Sequence, residues 1–244
     1  MNIEKERFKV LILVGGLGKR LEPLTYKNPK PMIKINGKPF LEFKISYLKS
    51  FGLKDIILCV GYLGEVIEGY FGNGNKFGVN INYSYEKELL GTGGAIKNAE
   101  NLIDKDFLAM NGDTYIPVNF NQLIEFHDNQ KNPLTMVVSS ASNPKEQELI
   151  ELNEDKISKI YKRDTEEHKL HLTNNKNPLI NSGIYVIKKS ILNEIPKKKV
   201  SLEHEIFPKL IGRMSGFLYK GYHRDLTTVE DCEKIENELK NEDI

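Results

Sequence analysis

Six residues directly after an apolar run, Gly15-Gly16-Leu17-Gly18-Lys19-Arg20, make a turn in which backbone N–H groups can approach an anion, since glycine has no Cβ to block them. Two cations bracket the polar stretch that follows. Arg20 offers a fork of donors that grips phosphate oxygens in pairs, and Lys30, within Pro29-Lys30-Pro31, offers a point charge. A second glycine cluster, Leu90-Gly91-Thr92-Gly93-Gly94-Ala95, opens a helical pattern. Asn111-Gly112-Asp113 closes the apolar run Phe107–Met110, and a carboxylate at the C-terminal end of a buried parallel strand faces the ligand crevice of an open α/β sheet. An anion-binding turn, cations and a strand-end carboxylate are the parts of transfer at phosphorus, where positioning and electrostatics supply nearly all the catalysis.

Each feature also has a plainer reading. The first glycine turn could simply join a strand to a helix. It is not a Walker A loop, because Leu13 stands where the first Gly belongs and Arg20 replaces Ser/Thr; Leu21 in the third glycine slot fits a dinucleotide fingerprint poorly. The second cluster suits a small-residue helix start packed on a sheet, and a strand-end Asp often serves a turn or a cap. Asp104-Lys105-Asp106 has the Asp-x-Asp form of metal-using glycosyltransferases but precedes a strand, where a solvated loop is the reading. His204-Glu205 lacks the second His of a zincin, since Pro208 sits there, and the five histidines show no metal-ligand spacing. Lys197-Lys198-Lys199 reads as a solvated basic loop.

In order along the chain, Gly15-Gly16-Leu17-Gly18-Lys19-Arg20-Leu21, Pro29-Lys30-Pro31 and Gly37-Lys38-Pro39-Phe40-Leu41 resemble the sugar-phosphate nucleotidyltransferase family, and the likeness covers nearly the whole chain. The resemblance implies a Rossmann-like core and transfer of a nucleoside monophosphate from an NTP to a sugar 1-phosphate. It implies that Leu13, Gly15, Gly16, Gly18 and Arg20 surround the NTP phosphates and that Lys30 neutralises charge at the reacting phosphate. Gly91, Thr92, Asn111 and Gly112 would hold the nucleoside, with Glu86, five residues before Gly91, reading the base edge. Asp113 would be a Mg²⁺ ligand, and Asp225, in Arg224-Asp225-Leu226-Thr227-Thr228-Val229-Glu230-Asp231, the second; the plainer reading of Asp225 is a charge favoured by a helix N-terminus. On the sugar side, Asn181 and Gly183 of Asn181-Ser182-Gly183-Ile184-Tyr185, Glu203 of Ser201-Leu202-Glu203, and Lys162 match family contacts. Four positions depart from the pattern. Leu89 and Val229 replace Pro, Thr227 replaces Gly, and Tyr161 replaces the Glu that normally precedes the lysine.

The residues suggest in-line attack by a sugar-phosphate oxygen on the NTP α-phosphorus. A phosphate monoester with a second pKa near ~6 is already an anion at neutral pH, so no general base is needed and none is apparent. Lys38–Glu42, Glu86-Lys87-Glu88 and Leu90–Ile96 look most like the D-glycero-α-D-manno-heptose 1-phosphate guanylyltransferases, with the mannose 1-phosphate guanylyltransferases close behind. An ionised Glu86 can only accept hydrogen bonds, and guanine presents adjacent N1–H and N2–H donors that suit it. Enzymes using CTP, UTP or dTTP remain open, as does a non-catalytic nucleotide-sensing member, against which Arg20, Lys30, Asp113 and Asp225 stand together. A glycosyltransferase is a third reading, weakened by the phosphate-type turn.

The elements that must hold these residues read as α/β. Phe8–Val14, Asp55–Val60, Val79–Ser84 and Phe107–Met110 have the length and β-branched character of strands. Between them lie helical patterns, one with Leu41, Ile45 and Leu48 on a stripe ending at Gly52, another with Val66, Ile67, Tyr70 and Phe71 stopping at Gly72. That alternation predicts a Rossmann-like, mostly parallel sheet flanked by helices. The second half reads as strands at Leu134–Ser140 and Ile180–Ile187, a hairpin over Ile150–Tyr161, and a capping box at Thr228 and Asp231 before a final helix. One domain is expected, with a nucleotide-binding lobe over about 8–133 and a smaller sugar-phosphate lobe over about 134–244. No hexapeptide repeat suggests a β-helix domain. The 35 Lys and Arg against 34 Asp and Glu leave no field that would argue for nucleic acid or a membrane surface. The polar N-terminus shows no signal peptide, and Cys59 and Cys232 read as reduced packing residues, so the cytoplasm is the expected setting. A homo-oligomer is left open.

Overall fold

The computed structural model describes residues 8–141 and 143–241; the first part of the polar N-terminal stretch, 1–7, lies outside them. The chain begins with β1 (Lys9–Leu13) and two short strands, β2 (Lys34–Ile35) and β3 (Lys38–Pro39). It continues through α1 (Phe40–Ser50), β4 (Asp55–Val60), α2 (Gly64–Phe71), β5 (Asn80–Tyr85), α3 (Gly91–Asn98) and β6 (Phe107–Asn111). Then come β7 (Thr114–Tyr115), α4 (Phe120–Asn129), β8 (Leu134–Ser140), the hairpin β9 (Leu149–Asn153) and β10 (Lys156–Tyr161), and α5 (Glu166–Asn174). The long β11 (Leu179–Ile187), α6 (Phe207–Leu210), β12 (Met214–Tyr219), β13 (Arg224–Asp225) and α7 (Val229–Asn241) complete it.

Among the described residues nine strands form one sheet in the order β5-β4-β1-β6-β11-β8-β12-β10-β9. The first four are parallel, as the alternation of strands and helices requires. The second half is mixed: β11 runs antiparallel to β6 and β8, β12 lies parallel to β8, and the expected hairpin closes the far edge. Side chains alternate across the sheet with period two. Val10, Ile12, Ile56 and Leu58 face the apolar stripes of α1, α2 and α4, whereas Leu11, Ile57 and Ala109 face α3 and α6. Each fully buried aliphatic side chain contributes roughly 1.5–3 kcal/mol, so both faces are firmly covered.

From β1 the chain steps outward to β4 and β5, then crosses back to place β6 on the other side of β1. The order therefore reverses between β1 and β6. Helix-bound connections splay apart at such a point, leaving a crevice beyond the carboxyl ends of the two strands. In a third, smaller cluster Ile235 and Leu239 of α7 pack on Leu21, Ile35, Phe40, Tyr115 and Leu226. The capping box forms, with the Thr228 N–H donating to Asp231 Oδ2 at 2.9 Å and the Asp231 N–H donating to Thr228 Oγ1 at 3.2 Å.

Candidate active site

At the carboxyl end of β1 the chain turns away from the sheet. Among the described residues, the backbone N–H groups of Gly15, Gly16 and Leu17 have no hydrogen-bond partner in the protein. A Cβ on Gly15 would sit 2.9 Å from Glu86 Oε1, the end of a side chain that can turn aside, and 3.3 Å from the Gly61 nitrogen, so glycine here keeps the approach of the two backbones easy. A cavity of about 460 Å³ opens over this turn, lined by Leu13, Gly15, Gly16, Lys30, Glu86, Gly91, Thr92, Asn111 and Asp113, with Lys199 on its wall. Gly112 lies just behind, donating its N–H to the Leu13 carbonyl at 2.9 Å and tying the ends of β1 and β6 together. Gly18 does not line the cavity. Its left-handed conformation starts the short turn Lys19–Leu21, which sends Leu21 into the core and leaves Arg20 exposed outside the lining.

Two acidic residues are carried to adjacent stretches of backbone near the turn. Asp113 follows β6, and its Oδ2 accepts from Lys30 Nζ at 2.6 Å; Lys30 is itself buried, on the turn that Pro29 begins. Asp225 arrives on β13, which pairs antiparallel with β7 so that Asp225 stands opposite Thr114, the neighbour of Asp113. The Leu226 N–H donates to the Asp113 carbonyl at 2.7 Å and Thr114 Oγ1 donates to Asp225 Oδ1 at 2.7 Å. Burial alone would raise the Asp225 carboxyl. His223, whose Nε2 lies 3.7 Å away, the Thr114 hydroxyl and the Lys30 charge outweigh it and hold the group below the usual carboxylate range. His223 is fixed from its other side by Ser139, Nδ1 to Oγ at 2.8 Å. Beneath the ribbon, Lys44 Nζ donates to the Thr114 carbonyl at 2.6 Å; burial pushes this ammonium down to about 8, against the opposing pull of Asp113 and Asp225.

The second glycine cluster mainly does a different job from cradling an anion. The Gly93 and Gly94 N–H groups, first donors of α3, are both taken by the Val200 carbonyl, at 3.0 and 3.1 Å. Gly91 has a φ of +74°, and a Cβ there would lie 2.7 Å from that same carbonyl. The small residues thus let the loop before Ser201 lie flat on the start of α3, and only Gly91 and Thr92 of the cluster glycines and hydroxyls face the cavity. Glu86, at the end of β5, accepts the Leu90 N–H through Oε2 at 2.8 Å. Burial raises its carboxyl above the ordinary value, and the Leu90 bond offsets only part of that.

The four sugar-side residues separate. Glu203 Oε2 accepts from Thr92 Oγ1 at 2.6 Å and from Ser201 Oγ at 2.7 Å, so it touches the wall of the first cavity. It also lines a neighbouring cleft of about 510 Å³ with Lys162, Arg163, Glu148 and His204. Asn181 and Gly183 line neither space: the Asn181 amide donates to the Tyr185 hydroxyl at 2.7 Å, and its carbonyl accepts the Gly183 N–H at 2.9 Å. Tyr161, in place of the family's Glu, turns inward, bonded to Glu151 and stacked on His171.

No group of three or more His, Cys, Asp or Glu forms a metal cage among the described residues. Asp113 and Asp225 alone fit Mg²⁺, which commonly takes one or two carboxylates, keeps waters and completes its shell with substrate phosphates. Three residues here carry no recognisable motif. Lys44 occupies the i+3 slot of the stripe Leu41, Ile45, Leu48, so a lysine on a buried face was a signal open to view. Lys199 sits in a basic run whose pattern reads as a solvated loop, and His223 offers no signal beyond standing two residues before Asp225.

An open glycine turn at a β1/β6 reversal, a lysine–carboxylate pair and the half-buried carboxyl of Glu86 share one crevice of an α/β sheet. The chain belongs to the nucleotidyl transferase family, whose profile matches residues 9–242. It is 35% identical over 237 residues to the D-glycero-alpha-D-manno-heptose 1-phosphate guanylyltransferase of Aneurinibacillus thermoaerophilus, covering 96% of this chain and 99% of that one. It is 37% identical over 229 residues to the mannose-1-phosphate guanyltransferase of Yarrowia lipolytica, covering 91% of this chain; it spans only 61% of that relative's length. A crystal structure of HddC from Yersinia pseudotuberculosis complexed with GMP-PN superposes with a TM-score of 0.80 at 31% identity, over 95% of this chain and 99% of that one.

Proposed function

We propose that this protein transfers the guanylyl group of GTP to the phosphate of D-glycero-α-D-manno-heptose 1-phosphate, giving the GDP-sugar and pyrophosphate. The observation that carries the reading is the meeting in one crevice of the unpartnered N–H groups of Gly15 and Gly16, the Lys30–Asp113 pair and Glu86. The name of the Aneurinibacillus relative, matched along nearly its whole length, suggests the guanylyl and heptose assignments, and the GMP-PN in the Yersinia structure supports the base; the Yarrowia relative makes mannose 1-phosphate the second acceptor to test.

In this reading the turn after β1 binds triphosphate oxygens through backbone N–H groups, with Arg20 swinging in from solvent. Glu86, oriented by the Leu90 N–H, accepts from guanine N1–H and N2–H, while Thr92, Gly91, Asn111 and Leu13 wall in the nucleoside. Lys162 and Glu203 hold the acceptor's phosphate and hydroxyls, and Asn181 and Gly183 shape the strand beside them. The acceptor oxygen, already anionic, attacks the α-phosphorus; the bond to the β-phosphate oxygen breaks, pyrophosphate leaves with the electron pair, and no proton moves. Lys30 has three donors, so it can serve Asp113 and a phosphate oxygen at once. Mg²⁺ held by Asp113 and Asp225 would neutralise charge on the phosphates as a Lewis acid. Among the described residues no helix is long and apolar enough to cross a membrane, and the free thiols of Cys59 and Cys232 suit the cytoplasm, where we place the reaction.

Pyrophosphate release measured with GTP, CTP, UTP and dTTP against both sugar 1-phosphates tests this. GTP with the heptose phosphate should give the highest kcat/KM, because a site built to bond one base edge leaves buried groups unpaired against another. A preference for UTP or dTTP would overturn the guanylyl assignment.

A further inference from the structure

Two lysines are buried among the described residues, Lys30 and Lys44, and both lie at the β7/β13 ribbon. Lys30 has work at the reacting phosphate; Lys44 lies behind the carboxylates, out of the cavity's lining. It rises from the apolar face of α1 among Leu41, Ile45 and Leu48. Its Nζ is held by a carbonyl, that of Thr114 at 2.6 Å. Thr114 follows Asp113 in the chain and its hydroxyl holds Asp225 at 2.7 Å, so the ammonium is stationed one residue from each carboxylate. A buried ammonium fixed by a carbonyl keeps its field, and in a low-dielectric interior that field reaches both acids.

We propose that Lys44 is a built-in counter-charge that prevents the Asp113–Asp225 pair from holding a divalent cation on its own, so that the cation enters with the nucleotide. The inference rests on the reading of Asp113 and Asp225 as the metal ligands. Two carboxylates against Lys30 and Lys44 leave the resting site formally neutral. A triphosphate over the β1 turn restores a strong negative potential, and cation and nucleotide then tighten each other's binding, reciprocally. Burial of Lys44 in an apolar helix face, costly for a charged group, is what such a device requires.

The test is Mn²⁺ binding to the nucleotide-free protein, followed by loss of the free-ion signal in electron paramagnetic resonance. Lys44→Met should bind Mn²⁺ at least about tenfold more tightly than wild type, as expected for removing a unit charge near the site at an effective dielectric near 20. Lys44→Arg should match wild type. A non-hydrolysable GTP analogue should strengthen Mn²⁺ binding less in Lys44→Met than in wild type. Equal or weaker binding by a folded Lys44→Met would overturn the proposal; if that variant fails to fold, Lys44→Gln carries the same expectation. Adding Asp113→Asn to Lys44→Met should abolish the gain. If the gain survives in the double variant, the metal reading and the proposal fall together. If Asp113→Asn alone weakens Mn²⁺ binding while Lys44→Met changes nothing, only the proposal falls.

Discussion

Asp113 is joined to its surroundings through its backbone and through Lys30 rather than by packing, so its carboxylate can be altered without opening a void. Asp113→Asn should therefore keep the thermal midpoint close to wild type while turnover falls by roughly 10²-fold or more, the scale of losing several kcal/mol of charge stabilisation. Near-wild-type turnover of this variant with Mg²⁺ present would remove Asp113 from the metal site. Glu86 yields a pH dependence. Its carboxyl is raised by burial, and an ionised carboxylate is the form that accepts from guanine. As pH falls toward that raised range, the KM for GTP should climb sooner than an ordinary carboxylate would dictate, and Glu86→Gln should flatten the climb. The sign for stability runs the other way. A carboxyl raised on folding favours the folded state only at low pH, so its ionisation opposes folding near neutrality and the Gln variant should melt no lower than wild type. Lys30, Glu86 and Asp113, singled out by type and spacing, line the crevice, whereas Arg20 lies outside its lining and Lys199, read as loop, stands on its wall. Lys44 could not be assigned a task that way, because a lysine in an apolar stripe says that something compensates it without saying what.

The long elements were readable because their periodicity is local: the stripe of α1, the runs of β4 and β6, and the Thr228–Asp231 box all fell where expected. The two-residue strands β7 and β13 were not, since nothing within Thr114–Tyr115 or Arg224–Asp225 encodes pairing across 110 residues; only tertiary folding brings them together. The second glycine cluster shows a related limit. Glycine signals close approach, but the sequence does not say to what, and here the neighbour is the backbone around Val200 as much as any ligand. Gly91→Ala tests the point. A Cβ at positive φ, 2.7 Å from the Val200 carbonyl, forces either α3 or the 196–201 loop to move. We expect a cost of about 1–3 kcal/mol, seen as a fall of several degrees in the midpoint, together with a raised KM for the nucleotide. An alanine variant with unchanged midpoint and KM would show that the loop does not depend on that approach.

At the scale of the whole molecule, the parallel half followed from the alternation of strands and helices, and the crevice from the reversal between β1 and β6. The antiparallel half was less readable, because strands such as β12 alternate too weakly to announce which neighbour they take; the sheet nonetheless runs unbroken from β5 to β9. That continuity sets the crevice and the neighbouring cleft on one scaffold, and a single hydroxyl bridges them. Thr92 Oγ1 donates to Glu203 and receives the Leu202 N–H at 2.9 Å, so a side chain of the crevice is bonded directly to a side chain of the cleft. Whatever draws Glu203 toward a hydroxyl in the cleft must loosen or redirect its hold on Thr92, and whatever seats a nucleoside against Thr92 must be felt by Glu203. On the proposed function, selectivity for the nucleoside and selectivity for the sugar are then parts of one arrangement, and a change made to broaden either would carry a correlated shift in the other.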